Sequence, residues 1–172
     1  MKIIAISGKK QSGKDTVCSI LHRLLPGTKQ RVAFADELKY EVARNYHVTV
    51  PYIEQHKTTF RQLLQAHGSI QKHLHGEHYW VESYLSRLNN CTHDGLYPDY
   101  IFTPDLRFKV ELSMLLDLGA VLIRVERNVG DLPDTHISEI ELDNYPFPIV
   151  IQNNSTMELL EYNVKKVIDK IK

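Results

Sequence analysis

Residues 3–16 read Ile-Ile-Ala-Ile-Ser-Gly-Lys-Lys-Gln-Ser-Gly-Lys-Asp-Thr. The apolar run Ile3–Ile6 predicts a buried strand over 2–7. Val17, Ile20, Leu21 and Leu24 then recur at helical spacing. Between strand and helix, Gly8 and Gly13 let the backbone curl until several N–H groups converge on one anion. Lys14 reaches toward outer phosphates, and the helix N-terminus adds partial positive charge. A chance glycine turn capping a helix is the alternative, and the strand before and apolar helix after argue against it. The segment implies a nucleoside triphosphate ligand. In the usual pattern a Ser or Thr follows the lysine and ligates Mg²⁺. Here Asp15 follows and Thr16 comes next. A carboxylate also holds Mg²⁺ directly or through water, so either residue is a metal candidate.

Outward from this loop, Pro26-Gly27 stops the first helix near Leu25. Residues 31–35 predict a short second strand, and Asp36 can cap a helix to about Tyr46. Pro51 punctuates the next segment. Thr59 and Gln62 have capping-box spacing, with Leu63, Ala66, Ile70 and Leu74 as an inner stripe. A helix over roughly 78–88 precedes a turn-rich stretch, 89–98. Strands are expected at 100–103, 121–125 and 147–151, with a helix over about 110–118 closed by Gly119. Pro148 confines the last strand to an edge or to one-sided pairing. Residues 126–146 hold few core candidates and read as a ligand-facing insertion. Ser155 and Glu158 open the last helix, with Met157, Leu160, Val164, Val167 and Ile171 inward. Strands alternating with helices, several of them continuously apolar, predict a parallel sheet covered on both faces. Ligands then bind at the carboxyl ends of the strands.

The 172 residues suit one compact domain, and 42% apolar content suits a globular chain. Lys+Arg and Asp+Glu are 21 each, so no bulk charge favours nucleic acid or an anionic membrane. Cys18 and Cys91 lack metal-type spacing, and Cys18 reads as a reduced core thiol. No signal peptide is legible and no segment reaches transmembrane length, so a cytosolic location is expected.

Candidate groups fall at strand ends. Asp36 serves a helix cap, a ligand, or both. Asp105 can organise Mg²⁺ or accept a hydrogen bond from an acceptor, and Arg107 can fork onto a phosphate. Arg61 opposes the dipole of the helix it opens, which a substrate phosphate would explain. Arg127 is preferred over Arg124 for stabilising transferring charge, because Arg124 can point into packing. Asp134, His136 and Ser138 lack the spacing of a hydrolase triad and read as lid contacts. His67, His73, His75 and His78 with Glu77 lack metal-ligand geometry. Trp80 serves either base stacking or the core.

Several ordered stretches resemble the phage-type deoxynucleoside monophosphate kinase family. They are 7–16, Phe-Ala-Asp-x-Leu-Lys at 34–39, Arg61 with Leu-Gln-Ala-His-Gly at 64–68, and Tyr-Trp-Val at 79–81. Further along stand Asp-Leu-Arg-Phe-x-x-Glu at 105–111, Ile-Arg-Val-x-Arg at 123–127, His-Ile-Ser-Glu at 136–139 and Ile-x-Asn-Asn at 151–154. Asp after the loop lysine is normal there. The resemblance implies a three-layer phosphate-loop kinase fold with a five-stranded parallel sheet. It also implies a lid near 126–146 and a monophosphate-binding helical region near 36–90. It implies transfer of the γ-phosphoryl of ATP to a deoxynucleoside 5′-monophosphate, with Mg²⁺. By it, Gly8, Lys9, Ser12, Gly13, Lys14, Asp15 and Thr16 serve ATP and metal, with Asn153 and Asn154 near adenine. Asp36, Lys39, Arg61, Gln65, Trp80 and Arg107 face the monophosphate. Arg127, His136 and Glu139 belong to the lid, and Lys14, Arg127 and Asp105 carry the catalysis. Relatives also suggest a homodimer, and a phage-encoded chain would work in the host cytoplasm. Pro104 and Pro148 depart from positions often polar in relatives. A kinase for another small acceptor such as phosphomevalonate, and a non-catalytic nucleotide-binding protein, are the alternatives.

Overall fold

The computed structural model describes residues 1–91, 97–128 and 136–171. The chain divides into two compact units, Met1–Arg31 with Cys91–Lys172, and Val32–Asn90. In the first, β1 (Lys2–Ser7), β2 (Lys29–Arg31), β3 (Tyr100–Leu106), β4 (Val121–Glu126) and β5 (Ile149–Gln152) form one sheet. Its order is β2-β3-β1-β4-β5, and every pairing is parallel. The central strands β1 and β4 are buried along almost their whole length, whereas the edge strand β5 alternates. Covered strands therefore read as apolar runs. Helix α1 (Lys14–Leu24) links β1 to β2, and α6 (Lys109–Asp117) links β3 to β4. The two crossovers run in opposite directions along the sheet, so right-handed connection puts α1 and α6 on opposite faces. Helix α8 (Met157–Ile171) packs beside α1, and Ile4, Ile6, Leu21, Phe102, Ile123 and Val164 share one core.

Several boundaries differ from the sequence expectation. The second strand lies at Lys29–Arg31, not 31–35. Val32, Ala33 and Phe34 are buried, which imitates a strand, but a turn there leads straight into α2 (Ala35–Asn45). Asp36 is inside that helix, and its Oδ2 accepts from the Ala33 N–H at 3.1 Å. Strand β3 runs on through Pro104 and Asp105 to Leu106. The register shifts between Ala5 and Ser7 of β1, so the proline, which has no N–H to donate, falls in an irregularity of the ladder. Pro148 precedes the edge strand β5 rather than sitting in it. Thr156, not Ser155, accepts from the first turn of α8, through the Leu159 N–H at 3.4 Å, and Met157 is exposed. Of the expected insertion, 129–135 lies outside the described residues, as does 92–96 of the turn-rich stretch. The described remainder holds the short α7 (Ile137–Ile140) and two buried residues, Glu139 and Leu142. Gly119 closes α6 in the left-handed region, with Gly119 and Ala120 donating back to Leu116 and Leu115.

The second unit is helical: α2, α3 (Val50–Gln55), α4 (Lys57–His75) and α5 (Tyr79–Asn90). Thr49 caps α3, with Pro51 in its first turn. Helix α4 starts at Lys57, so Thr59 lies within it and Arg61 stands one turn in rather than opening it. Of its expected inner stripe, Leu63 packs inward, whereas Ala66 and the later positions face out. Ile70 is 53% and Leu74 65% exposed, while Leu64, His67, Gly68 and Gln71 are half-buried. One apolar cluster of this unit, Val42, Ala43 and Ile53 with Leu38, Phe60 and Leu64 against it, lies under the first half of α4.

His47 closes α2 with φ 52°, a left-handed position normally given to glycine, and His47 and Val48 donate to Arg44 and Ala43. His47→Gly should raise stability by up to about 1 kcal/mol, seen as a higher thermal midpoint. A lower midpoint would mean that the imidazole itself holds the turn.

Candidate active site

The loop between β1 and α1 is a tight cradle. Gly8 has φ 152° and Gly13 φ 92°. A Cβ on Gly8 would lie 2.5 Å from the Val125 carbonyl oxygen, and one on Gly13 would collide with Asn153 Nδ2. Gln11, at the tip, also has positive φ, 61°, and the Ser12 N–H donates to Lys9 O at 3.1 Å. Lys14 Nζ donates to Gly8 O at 2.6 Å and Lys9 O at 2.7 Å. Burial, and then the nearby Arg107 charge, pull its pKa down to about 8. The Ser12 hydroxyl is buried and has no hydrogen-bond partner among the described residues. Such an oxygen is costly unless a ligand supplies a partner. Asp15 is exposed and Thr16 half-buried at the start of α1. These oxygen donors suit a hard cation. Cys18 is pushed up to about 11 by burial, as an inert packed thiol should be.

Around this cradle the first unit gathers several expected residues. Asn153 Nδ2 donates to Ser12 O at 2.8 Å, so this amide braces the loop from the end of β5. Asn154 is exposed, and its Oδ1 accepts from the Asn128 N–H at 2.7 Å. Arg107 Nη1 donates to Glu139 Oε1 and to Ser138 O. Glu139 Oε2 accepts from the Lys10 N–H at 2.7 Å. Arg127 is exposed just past β4, and Asp105 is half-buried in β3. His136 caps α7: its Nδ1 accepts from the Ser138 N–H at 3.2 Å. A helix cap therefore accounts for the His-Ser pair.

In the helical unit, Lys39 pairs with Glu54, and Trp80 is buried with its indole N–H donated to Gly68 O at 3.1 Å. Trp80 thus fastens α4 to α5. Arg61 and Gln65 stand half-buried on α4.

Two clusters escaped the sequence reading. Asp143 bridges Arg124 Nη2 at 2.6 Å and Lys9 Nζ at 2.9 Å, while Arg124 Nη1 donates to Ser7 Oγ at 3.1 Å. The available signal was Arg124 itself, a cation in a buried strand that needs a carboxylate. In the helical unit, buried Glu41 accepts from the Tyr79 hydroxyl at 2.6 Å and lies 2.8 Å from His67 Nε2. That bond to Glu41, with burial, pushes the Tyr79 phenol up to about 12.

A parallel sheet of this order, with a Gly-Lys cradle between its middle strand and first helix, defines a phosphate-loop kinase fold. The same fold is shared with the solved structure of TT1252 from Thermus thermophilus. That likeness has a TM-score of 0.52 and 19% identity, and covers 99% of this chain and 98% of that one. The pattern of the deoxynucleotide monophosphate kinase family matches residues 35–164, and the chain belongs to that family. It is 31% identical over 111 residues to the deoxynucleotide monophosphate kinase of Escherichia phage RB69. That match covers 64% of this chain and 45% of the phage protein, so the chain spans less than half of that relative. A protein of Acanthamoeba polyphaga mimivirus, provisionally described the same way, is 26% identical over 197 aligned positions, covering 98% of this chain and 97% of its own. Among the described residues no helix is long and apolar enough to cross a membrane.

Proposed function

We propose that the protein transfers the γ-phosphoryl group of ATP to a deoxynucleoside 5′-monophosphate. The observation that carries this is the cradle: positive-φ glycines, a buried Ser12 hydroxyl with no partner among the described residues and a half-buried Lys14 converge where a polyphosphate would lie. Membership of the family supports the acceptor class. In this reading the loop amides from Gly8 to Gly13, with Lys9, Ser12 and Lys14, hold the triphosphate. Asp15 and Thr16 would hold Mg²⁺, which would offset the negative charge of the phosphates. Arg107 receives the acceptor phosphate, with Asp105 near it in the chain, and Asp36, Lys39, Arg61 and Gln65 of the helical unit serve the acceptor nucleotide. Arg127 adds positive charge near the transferring group, and His136 fixes the start of α7 within the lid segment. An oxygen of the acceptor phosphate attacks the γ-phosphorus as the bond to the β–γ bridging oxygen breaks, giving two diphosphates with no covalent enzyme intermediate. The protein's share is alignment, charge and exclusion of water.

A panel of the four deoxynucleoside monophosphates and phosphomevalonate, each with ATP and Mg²⁺, tests the reading through coupled ADP release. Turnover well above the acceptor-free rate is expected with at least one monophosphate. Turnover with phosphomevalonate alone, or ATP binding with no acceptor consumed, would assign the site to a different kinase or to a binding protein.

A further inference from the structure

Glu139 lies in a helix of one turn, more than a hundred positions along the chain from the phosphate loop, yet its side chain is only 3% exposed. Both of its oxygens are engaged. Oε2 accepts from the backbone N–H of Lys10, inside the loop, and Oε1 from the Arg107 guanidinium. Arg107 is held at its root as well, because its backbone N–H donates to Glu111 Oε2 at 2.8 Å. The arginine is therefore fixed at both ends. One turn further on, Asp143 repeats the arrangement with Lys9 and with the Arg124–Ser7 pair. The segment 139–143 thus touches Lys9 and Lys10 directly and reaches Ser7 through Arg124, while Asn153 braces the cradle at Ser12.

A buried carboxylate is a poor source of stability, since its desolvation offsets most of the attraction to its partners. Its geometry is specific all the same. We propose that Glu139 is a positioning residue for the transfer step: it registers the Arg107 guanidinium, the acceptor-side cation, against the backbone of the donor-side cradle. This rests on the role given to Arg107 above. A misplacement of about 1 Å between reacting groups costs on the order of 10²-fold in rate. A single carboxylate spanning the two sides sets that distance.

Glu139→Gln is the test. The glutamine carbonyl still accepts from the Lys10 N–H, but its amide presents donors to Arg107, so the cradle keeps its brace and the arginine loses its aim. The lost negative charge also favours a polyanion. The expected result is a kcat lowered by about 10²-fold, with the affinity for a non-hydrolysable ATP analogue, measured by calorimetry, unchanged or tighter. A role confined to scaffolding the loop would instead weaken analogue binding in step with kcat, and a kcat within about threefold of wild type would remove the role altogether. Glu139→Asp keeps the charge but is one methylene too short to span both partners, and serves if the glutamine variant does not fold. It should lower kcat with analogue affinity intact, and an unchanged kcat overturns the proposal. In a double-variant cycle with Arg107→Lys the losses should be less than multiplicative, because the two side chains act as one unit; multiplicative losses count against it. Wild-type turnover is the internal reference. Its absence with every monophosphate fails the functional reading, whereas its presence with unaltered variants fails the positioning role alone.

Discussion

Lys14→Met should lower turnover by about 10³-fold or more while leaving the fold intact or strengthened. The ammonium sits inside the cradle, bound to the Gly8 and Lys9 carbonyls, 2.6 and 2.7 Å away. Burial holds its pKa near 8, below the ordinary 10.5. Below pH 8 both the folded and the unfolded chain carry the proton, so the folded state bears the full cost of the buried charge. Between about 8 and 10.5 the unfolded chain binds more protons, and this group's contribution to stability rises with pH. Methionine removes the charge, so the variant's thermal midpoint at pH 7 should equal or exceed that of the wild type, and the gap should narrow toward pH 10. Affinity of the wild type for an ATP analogue should fall above about pH 8, as the free site loses its proton, and the variant should show no such fall. Circular dichroism melts at two pH values and a binding titration check all three. A midpoint below that of the wild type at pH 7 would make the lysine a structural residue.

Gly13→Ala should abolish measurable ATP-analogue binding and destabilise the protein by about 1–3 kcal/mol. At φ 92° an alanine is strained whatever the space around it, and its Cβ would run into Asn153 Nδ2. That amide braces Ser12 O, so either the brace swings away or the loop opens. Both outcomes spoil convergence of the loop amides. Asn153→Ala in the same chain removes the clash but not the strain. The double variant should therefore lose less stability than the two single losses added, as read from urea midpoints. Strict additivity would place the damage in the backbone strain alone.

The His47 turn, the acceptor panel and the Glu139 variants probe parts of the molecule that the sequence revealed unevenly. Strands β1, β3 and β4 were legible because strands covered on both faces must be apolar along their length, and the loop was legible because glycine positions and a lysine carry its chemistry directly. The second strand was misplaced because Val32, Ala33 and Phe34 are buried for tertiary reasons while their backbone turns. The second half of helix α4 departs from its expected stripe because periodicity counts apolar residues. Its inner face instead holds His67, engaged with Glu41, and Gly68, whose carbonyl receives the Trp80 N–H. A polar side chain with a buried partner passes for a surface residue until the partner is known.

By itself the amino-acid order determined the phosphate cradle, the alternating parallel architecture and the cations available to a phosphate chemistry. All of these depend on local spacing and on side-chain type. Only the tertiary structure decided that Glu139 ties the loop to Arg107, that Asp143 neutralises Arg124, and that Asn153 braces Ser12 and Trp80 braces Gly68. Those pairs lie from about a dozen to well over a hundred positions apart, and which carboxylate or amide meets which buried donor is fixed by how the elements pack, a relation no local pattern encodes.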